Sequence, residues 1–355
     1  MSKIIQPRPE LDSLKSYVPM EEDACVVLSA NESPYNLPES LITEVKNQLD
    51  VFNFNRYPDA LGSKLRKEIA SHYGFSDENI VLGNGSDELI QCLLLAYGGK
   101  ERSVFTFEPT FSMYDLISRA TGTRVYELKR TASFDVDIPS ALEVAKEFNP
   151  TIIFLCNPNN PTGNLVSSED IEIFLKETGA LIVVDEAYAE FSGQTVIPLI
   201  DKYPNLVVLR TFSKAFSLAS LRIGYMLASP SVVQNTFKVK LPYNCGAFSQ
   251  MVASLVFKNR DVLMTQIEKI VSERKSLIKE LKKLSGVKVH PSSANFVLIR
   301  TENEASFVWK NLLEAGILVR DFKEPCIKDC LRITVGKGEE NKLFLKALKE
   351  IINAG

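Results

Sequence analysis

The stretch LVVLRTFSKAFSLASLRIG, residues 206–224, joins a short apolar run to a turn that contains Lys214. The run Leu206–Leu209 has the length and composition of a buried strand. Holding an amine at the end of such a strand costs free energy, because burial disfavours the charged form and lowers the pKa of a lysine. A lowered pKa is what Schiff-base chemistry requires of an amine. A single lysine in a turn is nevertheless more often a solvated surface residue, so its neighbours decide the interpretation.

Apolar runs of strand length alternate with stretches of helical periodicity along most of the chain. This pattern is typical of an α/β domain with a mostly parallel sheet. The predicted helices include Asp87–Ala96 and Ser168–Lys176, and a long amphipathic run covers about residues 249–284. The predicted strands are Ile80–Leu82, Val104–Phe107, Arg124–Leu128, Thr151–Leu155, Leu181–Val184, Leu206–Leu209 and Ile223–Leu227.

A second, smaller α/β unit is predicted after the amphipathic run. Its predicted elements are strands at Asn295–Ile299, Ile317–Val319 and Leu331–Val335, and helices at Glu304–Glu314 and Glu340–Ile352. The prolines of the N-terminal segment favour an extended arm. We therefore expect an arm over residues 1–30 that packs with the small domain, a large domain over residues 31–284 and a small C-terminal domain over residues 285–355.

Composition and charge limit the classes of protein that the chain can belong to. Its 355 residues, 45% of them hydrophobic, are enough for about two domains. The formal net charge of -3 disfavours a nucleic-acid-binding protein, which is usually basic. The N-terminal sequence lacks an apolar signal segment, and no run approaches the roughly 18 apolar residues of a membrane span. We expect a cytoplasmic protein with no nucleic-acid or membrane partner.

Histidine and cysteine usage disfavours several kinds of site. The two histidines, His72 and His290, are too few for a histidine-based triad or a multi-histidine metal site. The six cysteines are scattered, and without a secretion signal we expect reduced thiols rather than disulfides. No metal is expected, and acid–base chemistry falls to lysine, carboxylates, tyrosine or a cofactor.

The segment GNGSDE, residues 83–88, follows the predicted strand Ile80–Leu82 and leads into a helix. Its glycines allow a tight turn, and the first N–H groups of the helix can bind a phosphate together with the Ser86 hydroxyl. Ser86 or Asp87 is equally suited to cap the helix. Taken alone, this segment leaves both interpretations open.

Two further motifs follow predicted strands directly. In NPNNPTG, residues 157–163, the prolines stiffen the backbone so that Asn157 can present its amide at the end of a strand. In DEAY, residues 185–188, the Asp185 carboxylate must be paired. A cationic ring nitrogen would pair it, while Tyr188 donates to an oxygen on the same ring. Asp185 by itself could also cap the next helix.

These polar groups are expected to converge, because ligands of open parallel sheets bind beyond the carboxyl ends of the strands. Their chemistry matches pyridoxal 5'-phosphate (PLP). An amine suits its aldehyde, a carboxylate its ring nitrogen, an amide and a phenol its phenolate oxygen. A hydroxyl, a guanidinium and a helix N-terminus suit its phosphate. The residues that carry these groups are Lys214, Asp185, Asn157, Tyr188, Ser86, Ser213 and Arg222.

Together the motifs resemble the fold-type-I PLP-dependent aminotransferases, and the resemblance extends over nearly the whole chain. Within that family the chain is most similar to the histidinol-phosphate aminotransferases. Ser33 and Ser220 depart from the pattern, which usually has asparagine and glycine at those positions. The segments that carry the closer resemblance are LSANESP (28–34), RYPD (56–59), GNGSDE (83–88), EPTFSMY (108–114), GILVR (316–320) and LRITVG (331–336).

The resemblance implies a role for each matching residue. Lys214 would form the Schiff base with PLP, Asp185 would keep the ring nitrogen protonated, and Tyr188 would contact the phenolate oxygen together with Asn157. Tyr57 would reach the phosphate bound by the neighbouring subunit, so that the site requires a homodimer. The other implied cofactor contacts are Gly85, Ser86, Asp87, Phe111, Ser213 and Arg222.

The resemblance also implies a substrate class. Arg332 would bind the carboxylate of glutamate or the phosphate of histidinol phosphate, assisted by Arg320, Asn157 and Tyr17. A guanidinium suits either anion. The implied reaction is ping-pong transamination from histidinol phosphate, the amino donor, to the 2-oxo acid 2-oxoglutarate, in histidine biosynthesis. An aromatic amino-acid aminotransferase, a threonine-phosphate decarboxylase and a non-enzymatic PLP-fold protein are the alternatives.

Overall fold

The computed structural model describes Ile5, residues 8–11, Leu14 and residues 22–354. The strands are β1 (Val26–Leu28), β2 (Ile80–Gly83), β3 (Ser103–Glu108), β4 (Arg124–Lys129), β5 (Ile152–Cys156), β6 (Leu181–Asp185), β7 (Leu206–Thr211), β8 (Gly224–Ala228), β9 (Val287–Val289), β10 (Phe296–Thr301), β11 (Ile317–Asp321) and β12 (Cys330–Thr334). The helices are α1 (Glu39–Leu49), α2 (Ser63–Tyr73), α3 (Ser86–Tyr97), α4 (Met113–Ala120), α5 (Ile138–Phe148), α6 (Ser168–Glu177), α7 (Ala189–Ser192), α8 (Pro230–Phe237), α9 (Ala247–Lys258), α10 (Asp261–Leu281), α11 (Ala305–Glu314) and α12 (Gly338–Ala354). Short 3-10 helices lie at Pro9–Leu11, Asp77–Asn79, Ile197–Leu199 and Ala219–Leu221.

A mixed sheet of seven strands forms the larger part of the fold, in the order β2-β8-β7-β6-β5-β3-β4. Strand β8 runs antiparallel to β2 and β7, and the other neighbours in this sheet are parallel. All residues of β5, β6, β7 and β8 are buried, which explains their uninterrupted apolar runs. The seven strands predicted for this sheet are present, and the predicted α/β fold with a mostly parallel sheet is confirmed.

Helices cover both faces of the large sheet. One face packs against α3, α4 and α8, with Leu89, Tyr114 and Val232 in its core. The opposite face packs against α2 and α6, which contribute Leu65 and Phe174. The result is a three-layer arrangement of helices, sheet and helices.

The second sheet has the order β1-β11-β12-β10-β9. Strand β1 pairs in parallel with β11, so the chain takes part in this small sheet before the large sheet begins. Residues 29–31 leave the carboxyl end of β1 directly. The three strands predicted for the second unit correspond to β10, β11 and β12. The strands β1 and β9 were not predicted.

The N-terminal arm contacts both parts of the fold where it is described. Strand β1 belongs to the small sheet, whereas the Arg8 guanidinium donates a hydrogen bond to the Ala120 carbonyl oxygen in α4. The division into an arm, a large domain and a small domain at residues 30 and 284 stays a prediction.

The long amphipathic run divides into two helices, α9 and α10. Asn259 lies between them, and its side-chain amide donates to the Leu255 carbonyl oxygen at 2.9 Å. The Asn259 backbone N–H donates to the same oxygen at 3.2 Å, so helix α9 ends with both bonds on Leu255. The chain resumes a helix at Asp261, so the amphipathic pattern continues across the break.

A buried ion-pair network supports the ends of β6 and β7. The Arg210 guanidinium donates to Glu186 at 2.7 Å and to Glu190 at 2.8 Å, and Arg210 and Glu186 are almost completely buried. The other Glu186 oxygen accepts the Val196 backbone N–H at 2.7 Å. Because Glu186 directly follows Asp185, the network helps to fix the end of the strand that carries the Asp185 carboxylate.

Replacing Arg210 by methionine is expected to destabilise the protein by about 3–5 kcal/mol, because two glutamates would be left buried without their cation. The measurement is the shift of the urea unfolding midpoint. Lys283→Met removes a cation from an exposed pair with Glu280 and should leave the midpoint nearly unchanged. Equal shifts for the two variants would contradict the expectation.

Candidate active site

A cavity of about 610 Å³ opens at the carboxyl ends of the central strands. In the order β7-β6-β5 these ends are adjacent, with Cys156 opposite Asp185 and Asp185 opposite Leu209. Parts of both sheets line the cavity, together with residues 29–31. The predicted site residues that line it are Ser86, Asp87, Phe111, Asp185, Tyr188, Ser213, Lys214, Arg222, Arg320 and Arg332.

The Lys214 amine lies inside this cavity and donates a hydrogen bond to the Ala30 carbonyl oxygen at 2.9 Å. Burial, followed by the positive charge of Arg332, lowers the pKa of Lys214 to about 8. A substantial fraction of the amine is therefore neutral near pH 8, as a nucleophile or general base requires.

The Asp185 carboxylate is held at the end of β6 by two hydrogen bonds. The Tyr114 hydroxyl donates to one oxygen at 2.8 Å, and the Ala187 backbone N–H donates to the other at 3.1 Å. Tyr114 is itself fixed by stacking on Phe154, with ring centroids 4.7 Å apart. Burial raises the pKa of Asp185 to about 6 despite these donors. A cation placed beside this carboxylate would be strongly bound.

The Tyr188 side chain is buried and lies edge-on to Phe296, with ring centroids 5.1 Å apart. Burial raises the pKa of Tyr188 well above its usual value, so the phenol is protonated at neutral pH. Its hydroxyl oxygen accepts a hydrogen bond from the Asn31 amide nitrogen at 3.0 Å. The phenol is therefore a neutral donor facing the same cavity as Lys214.

An anion-binding cradle forms where the turn after β2 meets the segment after β7. Gly224 is the register partner of both Gly83 and Thr211, which brings these two strand ends together. A methyl group at Gly224 would lie 2.8 Å from the Ser86 nitrogen and 2.9 Å from the Arg210 carbonyl oxygen, closer than real contacts allow. Only glycine permits this approach.

The donors of the cradle are the N-terminus of α3, a hydroxyl and a guanidinium. Arg222 donates to the Ser213 hydroxyl at 3.3 Å and pairs with Asp87 at 3.2 Å. Gly85 has φ +78, and a methyl group there would lie 2.7 Å from the Arg222 guanidinium. The first N–H groups of a helix together with an arginine bind phosphate well.

Two arginines occupy the wall that the small sheet contributes. Arg320 and Arg332 are register partners on β11 and β12, and both line the cavity. Arg332 donates to the Ser29 carbonyl oxygen at 2.6 Å and to the Asn160 side chain, and its guanidinium lies over Phe296. Like charges directly opposite each other destabilise a sheet, so a bound anion would offset their repulsion.

Three other predicted residues do not line the cavity, and a fourth lies outside the described residues. Gly85 forms the backbone of the cradle, as just described. Asn157 lies buried at the end of β5, where its amide bonds both backbone groups of Val166, at 2.8 and 3.1 Å. Tyr57 lies outside the main cavity, is 82% exposed and stacks on Tyr243 with ring centroids 4.7 Å apart. Tyr17 lies outside the described residues.

The model of the aminotransferase class I and II family matches residues 23–348. The chain belongs to the class I and II aminotransferases. A relative named histidinol-phosphate aminotransferase 1, from Carboxydothermus hydrogenoformans, is 44% identical over 96% of both chains. A histidinol-phosphate aminotransferase from Thermoanaerobacter sp. is 40% identical over 97% of this chain and 98% of its own.

A solved structure has the same fold as this aminotransferase. It is the histidinol-phosphate aminotransferase from Sinorhizobium meliloti in complex with pyridoxal-5'-phosphate, with a TM-score of 0.90 and 25% identity over 99% of both chains. The resemblance to fold-type-I aminotransferases that the motifs indicated is confirmed. In the described residues of this aminotransferase, no helix is both long and apolar enough to cross a membrane.

Several polar residues of the aminotransferase site were missed at the level of sequence. Tyr114 bonds Asp185, Asn31 bonds Tyr188, and Asn160 bonds Arg332. Each lies inside a segment that carried the family resemblance, but nothing in the spacing of those segments identifies the partner. Asn31 has φ +55, and a non-glycine residue in that region is a signal that only the structure provides.

The pKa of Lys214 predicts how the ligand-free protein reacts with the aldehyde of pyridoxal phosphate. Below pH 8 the amine is protonated, so the rate should fall about tenfold for each pH unit and level off above pH 8. Stopped-flow absorbance measures the rate, and Lys214→Arg should give no adduct. A half-maximal rate near the ordinary lysine pKa of about 10.4 would contradict the expectation.

Proposed function

We propose that the protein is a PLP-dependent transaminase that transfers the amino group of histidinol phosphate to 2-oxoglutarate, giving imidazole acetol phosphate and glutamate. The observation that carries this proposal is the paired Arg320 and Arg332 in the same cavity as Lys214. Two relatives named histidinol-phosphate aminotransferase, which match over nearly the whole chain, support this substrate.

The residues of the cavity fit PLP. The cradle of Ser86, Ser213 and Arg222 would hold the phosphate, since it combines a helix N-terminus with a hydroxyl and a guanidinium. The buried Asp185 would pair with the ring nitrogen, and Phe111 lines the cavity where a ring face could rest. Tyr188 would lie towards the phenolate oxygen. Asn157 is proposed to assist there on the basis of the resemblance alone, since its amide already bonds Val166. The PLP complex of the Sinorhizobium meliloti enzyme supports this assignment.

When bound, PLP supplies an electron sink for the carbon that carries the substrate amine. The chain supplies the groups around it. The Lys214 amine, with a pKa of about 8, can take a proton from that carbon and then donate it to a different atom. Asp185 stabilises a cation at the ring nitrogen, and the cavity walls orient the substrate so that the reacting carbon faces Lys214.

The substrate anion would bind Arg332, with Arg320 beside it. Arg332 is held by Ser29 and Asn160, so its guanidinium is oriented before substrate arrives. A guanidinium fork accepts a carboxylate or a phosphate with similar geometry. One anion pocket can therefore serve glutamate and histidinol phosphate in turn, as a ping-pong reaction requires. Tyr17 is proposed to assist on the basis of the resemblance alone.

Substituting Arg332 by glutamine tests this assignment. The value of kcat/KM should fall roughly 100-fold for both histidinol phosphate and glutamate, equivalent to about 2.7 kcal/mol of lost transition-state binding. Arg300→Gln is the matched control, since Arg300 pairs with Asp329 on the small sheet and does not line the cavity.

The assay compares histidinol phosphate with phenylalanine as amino donors to 2-oxoglutarate, and O-phosphothreonine as a substrate for decarboxylation. Preference for phenylalanine would replace the proposed substrate by an aromatic amino acid, and release of carbon dioxide would indicate the decarboxylase. Lys214→Ala should abolish turnover, and normal transamination by this variant would contradict the proposed chemistry.

We further propose that the protein is a homodimer. Its cytoplasmic location stays a prediction. Val51 and Phe54 shortly precede Tyr57 in the chain and Leu241 shortly precedes Tyr243, and Val51, Phe54 and Leu241 are each more than 70% exposed. Tyr57 and Tyr243 stack within this surface. Exposed apolar patches of this kind mark protein interfaces. Tyr57 would then reach the phosphate bound by a second copy of the chain.

Mixing two damaged subunits tests the shared site. Lys214→Ala and Tyr57→Ala homodimers should each lose activity. After subunit exchange, each hybrid dimer contains one site with both native residues, so an equal mixture should recover about a quarter of the wild-type activity. If Tyr57 acted within its own subunit, every hybrid site would carry one defect and no activity would return.

A further inference from the structure

Asn31 stands at a junction of three segments that are distant in the chain. Its backbone N–H donates to the Thr334 hydroxyl at 2.9 Å, and its carbonyl oxygen accepts from the Asn295 amide at 3.0 Å. Its side-chain amide donates to the Tyr188 hydroxyl at 3.0 Å. Asn31 is almost completely buried. Its position is therefore fixed from the side of the small sheet, while its side chain reaches Tyr188, which follows strand β6 of the large sheet.

The orientation of the Asn31 amide follows from this network. The Thr334 hydroxyl accepts the Asn31 backbone N–H, and its own hydrogen is directed to the Asn31 side-chain oxygen at 3.3 Å. The amide nitrogen of Asn31 then faces Tyr188. An amide nitrogen carries only donor hydrogens, whereas a phenol oxygen can both donate and accept.

The hydroxyl hydrogen of Tyr188 therefore cannot point at Asn31. Tyr188 lines the cavity that contains Lys214, so its hydroxyl hydrogen has that cavity to point into. The backbone supports the same function, since φ +55 at Asn31 is a conformation that asparagine adopts more readily than most residues do. Strained conformations of this kind persist where surrounding bonds hold them.

We propose that Asn31 is a positioning residue that turns the Tyr188 hydroxyl hydrogen into the cavity, towards the phenolate oxygen of bound PLP. The proposal rests on the PLP-dependent function proposed above. A hydrogen-bond donor at the phenolate oxygen weakens the attraction between that oxygen and a nearby proton on the bound cofactor. The proton is then lost at a lower pH, which lowers the midpoint of the cofactor's change in visible absorbance. Losing the orientation of that donor raises the midpoint.

The test is a double-mutant cycle that combines Asn31→Gly with Tyr188→Phe. Glycine removes the amide without adding charge and accepts φ +55 without strain. In the wild-type background, Asn31→Gly should raise the absorbance midpoint of the PLP-loaded protein by about one pH unit, on the order expected when one hydrogen bond to a charged group is lost. In the Tyr188→Phe background the same substitution should leave the midpoint unchanged.

Asn31→Asp provides a second variant, because aspartate has nearly the same shape and also tolerates this backbone conformation. Its carboxylate accepts the Tyr188 hydrogen and turns it out of the cavity, so the midpoint should rise further than in Asn31→Gly. Part of that rise comes from the added charge and should persist in the Tyr188→Phe background. The effect on the Tyr188 hydroxyl is therefore the rise measured with Tyr188 present minus the rise measured in the Tyr188→Phe background. Asn36→Asp is the matched control, since its exposed side chain accepts the Leu37 N–H and aspartate preserves that bond.

The outcomes separate a positioning role from a merely structural one. Equal shifts for Asn31→Gly in both backgrounds, or no shift in either, would overturn the proposal. Thermal melting of each variant identifies any loss of folding. The readout needs no substrate, so an error in the proposed amino donor leaves this test intact. Failure of the wild-type protein to bind PLP would instead refute the proposed function itself.

Discussion

The close approach of three backbone segments at Gly224 is the constraint on which the site depends. Strands β2 and β7 both pair with the antiparallel strand β8, and their carboxyl ends, Gly83 and Thr211, meet the same residue of β8. A side chain at Gly224 would push the N-terminus of α3 away from the segment that carries Lys214. The antiparallel strand β8 therefore lets the cradle and the Lys214 amine face one cavity, although β2 and β7 are not neighbours in the sheet.

Much of this arrangement could be predicted from the sequence, because strands buried on both faces read as apolar runs and ligands bind at their carboxyl ends. That reasoning located Asp185 and Lys214 without any contact information. The pairing of Arg320 with Arg332 depends on strand register, which the sequence does not specify. The bonds between Asn31 and Thr334 join residues 303 positions apart, and no local pattern predicts them.

Burial and like charges disfavour the charged forms of several groups in the cavity. Burial raises the pKa of Asp185 to about 6 and lowers that of Lys214 to about 8, so in both cases the fold disfavours the charged form. The paired Arg320 and Arg332 repel each other across the strand register. A ligand with a cationic ring nitrogen and anionic groups would relieve each of these strains. Local conflicts of this kind are expected where a fold is built to bind.

Three consecutive residues connect Arg332 of the small sheet to Lys214 and Tyr188. Ser29 holds Arg332, Ala30 holds the Lys214 amine, and Asn31 holds the Tyr188 hydroxyl. They follow β1 directly, and β1 is bonded to β11, which is itself bonded to the strand that carries Arg332. The segment that bonds the amine and the phenol therefore follows a strand of the sheet that carries the arginines. A shift of that sheet relative to the large one would therefore change all three bonds, because the residues that make them are consecutive in the chain.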